Sequence, residues 1–217
     1  MTLENLLQGH SQLFVQQRRE WIEIVIDWET TNKYAVLDAN KNELALIAER
    51  GGDLFTKLRR WFLRSHRPLD VDVFSKTSEI LLKLSRPFFW FFSDLNVADS
   101  AGQKFGSVHR RFGLIYKKYD LRDETGQVFA RIASPIWRLW TFPVLELSGT
   151  PRAKIAKRWG GALREVFTDA DTYLIDFETH PWSFSQRCVI FAAAVSIDFD
   201  FFENNQGPKG GLVDLFD

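Results

Sequence analysis

The acidic run DADTYLIDFETH (169–180) places Asp169, Asp171, Asp176 and Glu178 at short spacing. A hard divalent cation such as calcium takes about six to eight oxygen ligands, so carboxylates at alternate positions suit it chemically. Set out as an EF-hand loop from Asp169, however, the run has Leu174 where the turn needs Gly and His180 where a bidentate Glu belongs. Calcium is thus the one cofactor this run admits, with affinity expected toward the millimolar end. The competing reading makes TYLIDF a strand, with Tyr173, Ile175 and Phe177 on one face and unable to wrap an ion.

A second chemistry is cationic and aromatic. Lys57, Arg59, Arg60, Arg64 and Arg67 alternate with Leu58, Trp61 and Phe62, and no acid interrupts them. Asp53 is a good N-cap, and a helix from there sets Leu54, Leu58, Trp61 and Phe62 on one face, the make-up of an interfacial helix. Residues 104–118 and 152–164 are also free of acids, and read equally as membrane-facing patches or solvated strand faces. Phe88, Phe89, Trp90, Phe91 and Phe92 fall in RPFFWFF (86–92), and Trp137 and Trp140 in PIWRLWTFP (135–143). Aromatic rings favour the bilayer interface, so these corners can contact lipid or plug the end of the fold against its own core.

Other chemistries are poorly supplied. His10, His66, His109 and His180 are scattered, and HExxH, GxSxG and a Gly-rich phosphate loop are missing, so no enzyme is expected. Nothing resembles a nucleic-acid reading module, and nucleic acid is not an expected partner. The single cysteine, Cys188, excludes a disulfide framework and fits a reducing compartment. Lys+Arg and Asp+Glu both total 28, so net charge names no partner. Residues 1–20 carry Glu4, Arg18 and Arg19 among isolated leucines, unlike a secretory signal. No run reaches the roughly 20 apolar residues of a spanning helix. A place on the cytoplasmic face of a membrane, with a cytosolic pool, is expected.

The elements that must position these residues are mostly short. From Trp21 on, runs such as WIEIVI, YAVL, LALIA, LDVDVF, EILLKL, GLIYKKYDL, QVFARI and VLEL are rich in β-branched and aromatic residues, the signature of a meandering antiparallel sheet that closes on itself. Turn residues at Asn40-Lys41-Asn42, Lys76-Thr77-Ser78, Ala101-Gly102, Thr125-Gly126 and Gly149-Thr150 separate them, the last four about 24 residues apart, as if one two-stranded unit were reused. Residues 3–17 place Leu3, Leu6, Leu7, Leu13 and Phe14 at roughly helical spacing, so residues 1–20 are expected to be an amphipathic segment. Residues 187–203 (RCVIFAAAVSIDFDFFE) are apolar nearly all round, which predicts a buried helix carrying Val189, Ile190, Ala193, Ile197 and Phe199. At about 1.5 Å per residue that helix matches the height of a small barrel and is short for a bilayer. The barrel domain is thus expected over 21–203, with 204–217 as a flexible tail.

Four motifs run through this frame in order: WETTNKYAV (28–36), LSRPF (84–88), KRWGGALREVFTDADTYLIDF (157–177) and VSIDFDFFE (195–203). On these the chain resembles the phospholipid scramblase family, itself similar in fold to the tubby-like proteins, over roughly residues 20–203. The resemblance implies an all-β fold, a closed antiparallel barrel of about twelve strands around a buried hydrophobic C-terminal helix. It implies ATP-independent, two-way movement of phospholipids between leaflets, usually calcium-stimulated, with calcium at the acidic segment. It also implies anionic phospholipid headgroups as partners; the alternative is a tubby-like module that binds phosphoinositides or a protein without moving lipid. Many animal relatives carry cysteine clusters at three inter-strand corners; here 58–68, 86–92 and 135–143 carry Trp and Phe instead.

Overall fold

The computed structural model describes residues 1–17, 33–50, 68–87, 93–111, 113, 116–135, 137, 140–157, 172–178 and 180–201. Twelve strands run in the order β1 (Gln12–Gln17), β2 (Lys33–Leu37), β3 (Glu43–Glu49), β4 (Leu69–Phe74), β5 (Ile80–Arg86), β6 (Ser93–Ala98), β7 (Lys104–Arg111), β8 (Tyr116–Arg122), β9 (Val128–Pro135), β10 (Thr141–Glu146), β11 (Pro151–Ala156) and β12 (Thr172–Asp176). Each pairs antiparallel with its neighbour in sequence, and β1 pairs with β12, so the sheet closes with no free edge. The expected closed barrel is what the chain forms.

Five of the connections are one device used five times. In the β2–β3, β4–β5, β6–β7, β8–β9 and β10–β11 hairpins, the first turn residue (Asp38, Ser75, Asp99, Asp123, Glu146) donates its amide to the carbonyl four residues on, at 2.8–3.0 Å. Its own carbonyl accepts from the residue three on, at 2.9–3.2 Å. That third residue is left-handed each time: Lys41, Ser78, Gly102, Gly126 and Gly149, with φ between 63° and 90°. A register shift follows in each hairpin, the three-residue loop with a bulge that matches strand twist. The side chain of the first residue fixes the turn: Asp123 Oδ1 accepts from Thr125 and Gln127 amides at 2.9 Å. Hydrogen bonds from Thr125, then from the backbone, hold the Asp123 carboxyl below the ordinary range.

Inside the barrel runs α2 (Phe184–Phe201). Ser183 and Gln186 cap its start reciprocally, Gln186 N to Ser183 Oγ at 3.2 Å and Ser183 N to Gln186 Oε1 at 2.9 Å. Val189, Ile190, Ala193, Ile197 and Phe199 are all buried, as expected of a helix enclosed by strands. Cys188 lies there too, and burial pushes its thiol pKa up. Gly106 of β7 lets the helix come close: a Cβ there would stand 2.1 Å from the Arg122 carbonyl oxygen and 2.8 Å from Val189 Cγ2.

The N-terminus differs from the expected segment. Helix α1 is confined to Leu3–Gln8, capped by Thr2, and Gln12–Gln17 form the first strand, so the barrel begins before residue 21. Helical spacing from Leu3 to Leu7 is real, but Leu13 and Val15 alternate into the interior while Phe14 belongs to a second buried cluster on the other face of the sheet. Arg187 of α2 ties α1 down, its Nη1 donating to the Leu7 and His10 carbonyls at 2.7 and 2.9 Å.

Candidate functional site

Because every strand pair is antiparallel, the five tight hairpins share one end of the barrel. The strands that bracket 18–32, 51–67, 88–92, 112–115, 136–140 and 157–171 therefore finish and restart at the opposite rim. All three corners rich in Trp, Phe and Arg belong to this set. Lys57, Arg59, Arg60, Trp61, Phe62, Arg64, Arg67, Phe88, Phe89, Trp90, Phe91 and Phe92 lie outside the described residues. Trp137 and Trp140 are described, and they part company. Trp140 is half-buried, its carbonyl accepting from Lys157 N at 2.8 Å. Trp137 is 68% exposed, with its ring 6.3 Å from that of Tyr116, itself 37% exposed.

Around this aromatic pair stand the cations that end β7 and begin β8. Arg111 pairs with Lys118 across the strands, and Arg110 with Tyr119. The face shared with buried Tyr119 and Leu121 is the interior, so Arg110 and Lys117 turn to the inner side of the rim and Arg111 and Lys118 to the outer. Lys117 Nζ lies 5.1 Å from the centre of the Phe142 ring, and burial lowers the amine's pKa. Lys118 Nζ lies 5.6 Å from the Tyr116 ring centre. Arg111 reaches Asp120 at 3.5 Å, a carboxylate also held by Arg131 at 3.3 Å. The sequence left 104–118 open between a membrane-facing patch and a solvated strand face; in RRFGLIYKK (110–118) two cations stand on either side of an uncharged connection.

Deeper in, α2 presents a carboxylate to the barrel wall. Asp198 is buried and accepts from Tyr34 Oη at 2.7 Å, while Lys157 Nζ stands 3.8 Å from its other oxygen. A small cavity there is lined by Phe142, Ile155, Lys157, Tyr173, Ala194, Ile197 and Asp198. Burial first, and then the charge of Asp198, push the Tyr173 phenol well above its usual range. It stays neutral near neutral pH.

Of the four carboxylates set out for calcium, Asp169 and Asp171 lie outside the described residues. Asp176 ends β12 and is engaged within the barrel, accepting from Gln12 Nε2 at 3.1 Å and from the Glu178 amide at 3.0 Å, with Lys154 Nζ at 3.7 Å. Glu178 is exposed, with a left-handed φ of 51°. TYLID is a strand, and Tyr173, Ile175 and Phe177 are buried in the core cluster. His180 faces Glu146 at 3.5 Å. Among the described residues, no three His, Cys, Asp or Glu side chains gather as a metal site. None of their helices is long and apolar enough to cross a membrane, which says nothing of a β-barrel.

Comparison with known proteins places these observations among relatives. A family model described as Scramblase matches residues 1–204. The chain is 28% identical over 240 residues to the altered inheritance rate of mitochondria protein 25 of Saccharomyces cerevisiae, covering 93% of this chain and 73% of that protein. It is 25% identical to a phospholipid scramblase family protein of Schizosaccharomyces pombe, covering 95% of this chain and 63% of the relative. Phospholipid scramblase 1 of Mus musculus is 27% identical, with 92% of this chain and 64% of the relative covered. The chain thus spans less than two thirds of the length of the last two relatives. No solved structure matches it.

Proposed function

The chain belongs to the scramblase family, and from that premise we propose that it is a membrane-associated protein that carries out or assists ATP-independent, two-way movement of phospholipids between leaflets from the cytoplasmic face. The family match over residues 1–204 carries this reading. The rim opposite the hairpins is the surface that meets lipid. Lys57, Arg59, Arg60, Arg64 and Arg67 supply attraction to anionic headgroups, each worth about 1 kcal/mol near such a leaflet. Trp61, Phe62, Phe88 to Phe92, Trp137 and Trp140 supply the interfacial ring contacts. The exposed Trp137–Tyr116 pair supports that orientation. No bond-making chemistry is assigned. Calcium, if it acts through Asp169, Asp171, Asp176 and Glu178, acts weakly, since Asp176 is already engaged by Gln12 and Lys154.

A second reading is an anionic-lipid binding module without transport. The filled interior favours it: α2 occupies the barrel axis, and its residues from Cys188 to Val195 are at most 1% exposed, so no lumen runs past them. Reconstitution into liposomes carrying a fluorescent lipid decides between the two. The expected outcome is that protein raises the rate at which inner-leaflet probe becomes reducible from outside, with any calcium response only at millimolar concentration. Reversing Arg59, Arg60 and Arg64 to Glu is expected to weaken vesicle binding and scrambling together. Vesicle binding with no scrambling at any calcium concentration would leave the binding module as the answer.

A further inference from the structure

We propose that the β7–β8 corner, with Trp137 beside it, is a docking point for an anionic lipid surface, separate from the 57–67 segment. It rests on the membrane-facing reading of this rim and adds to it a definite place. Six residues compose it: Arg110, Arg111, Tyr116, Lys117, Lys118 and Trp137. Four of them are cations that lie within two residues of where β7 ends and β8 begins. The pairing of Arg111 with Lys118 sets two of these charges side by side on the outer face of the rim. Like charges directly opposite destabilise a strand pair, so this juxtaposition has a cost that a stability argument alone does not explain. Asp120 offsets Arg111 but is shared with Arg131. The run 104–118 contains no carboxylate, and the connection from Phe112 to Ile115 is uncharged.

Beside the cations, Trp137 is 68% exposed and leans on Tyr116, so its ring is supported on one side and open on the other. Tryptophan and tyrosine rings with cations beside them form the composition of an interfacial anchor. The complementary partner is a negatively charged leaflet: phosphates and carboxylates for the cations, and the carbonyl-and-glycerol layer for the rings.

The test is co-sedimentation of the full chain with phosphatidylcholine vesicles, with and without phosphatidylserine. Arg111→Gln/Lys118→Gln is expected to bind the phosphatidylserine vesicles about 30-fold more weakly than wild type, from about 1 kcal/mol per cation. Arg131 still holds Asp120 in that variant, and thermal melting checks that the fold is kept. Lys76→Gln/Lys104→Gln removes the same charge from exposed positions at the hairpin end, and is expected to stay within about twofold of wild type. Trp137→Ala is expected to weaken binding to both kinds of vesicle. Wild-type affinity in Arg111→Gln/Lys118→Gln, or an equal loss in the two double variants, overturns the proposal while leaving membrane association standing. Failure of the wild type to bind either vesicle overturns both.

Discussion

Asp198 shows how much one residue can settle. A carboxylate on a helix that is apolar nearly all round argues against an ordinary lipid-facing span, and the structure gives the reason it is tolerated. The Tyr34 hydroxyl donates to one oxygen at 2.7 Å and Lys157 stands 3.8 Å from the other. A buried carboxylate that loses a donor keeps its desolvation cost, so Tyr34→Phe is expected to lower the stability by about 1–3 kcal/mol. The urea midpoint measures this at neutral pH, and an unchanged midpoint would show that the bond contributes nothing. That Asp198 argues against a lipid-facing span was legible in the sequence, but its partner was not. Tyr34 and Asp198 are 164 residues apart, and no spacing rule joins them. The calcium run was easier to weigh, because Leu174 and His180 break the loop pattern and Tyr173, Ile175 and Phe177 keep a strand's alternation.

At the scale of elements, the hairpins were readable because a left-handed residue and a carboxylate or hydroxyl starter are demanded by the turn itself. Gly102, Gly126 and Gly149 sit where a Cβ would strain the backbone. First residues Asp38, Asp99 and Asp123 supply the acceptor that holds the loop. Strand β1 was misread as part of a helix because Leu3, Leu6 and Leu7 prime the helical period and Leu13 extends it by chance. Only closure of the barrel, which needs a strand between β12 and β2, decides the matter. The basic run 104–118 was visible in the sequence, but its orientation was left open, since the register that joins Arg111 to Lys118 is not written locally. Helix α2 was plain, and so are two ways to unseat it. Gly106 has φ 146° with Arg122 O and Val189 Cγ2 inside van der Waals distance of any Cβ. Gly106→Ala is therefore expected to lower the melting temperature sharply, whereas Gly102→Ala, at φ 90° with nothing within 4 Å of the added Cβ, bears only the backbone strain and is expected to lose less. Ala193→Arg, at a fully buried position, is expected to yield no folded protein, because the charge has no partner in the core. A cooperative melt near wild type for Gly106→Ala would mean that helix and strand are less closely seated than the geometry demands.

The whole molecule separates its labours by end. Tight hairpins, α1 and the start of α2 close one end, with Arg187 bonded to Leu7 and His10 as the fastening. At the other end β1, β3, β5, β7, β9 and β11 finish, and the last turn of α2 lies there too. The helix is enclosed by a sheet with no edge, so it can leave only if a strand pair opens, and the β1–β12 seam joins the first strand to the last. Opening that seam would expose Leu13, Val15, Tyr173 and Ile175 to water along with the helix they cover. The cost is close to that of unfolding the domain, so the central amides of α2, from Val189 to Val195, are expected to exchange hydrogen only through global unfolding. Anionic vesicles test what the membrane does to this arrangement. A rim-docked barrel that keeps its helix will show slower exchange around Tyr116 to Lys118 when vesicles are added, with α2 exchange unchanged or slowed. If vesicles instead accelerate exchange between Val189 and Val195, the barrel opens at the bilayer and the helix, not the rim, is the part that engages lipid.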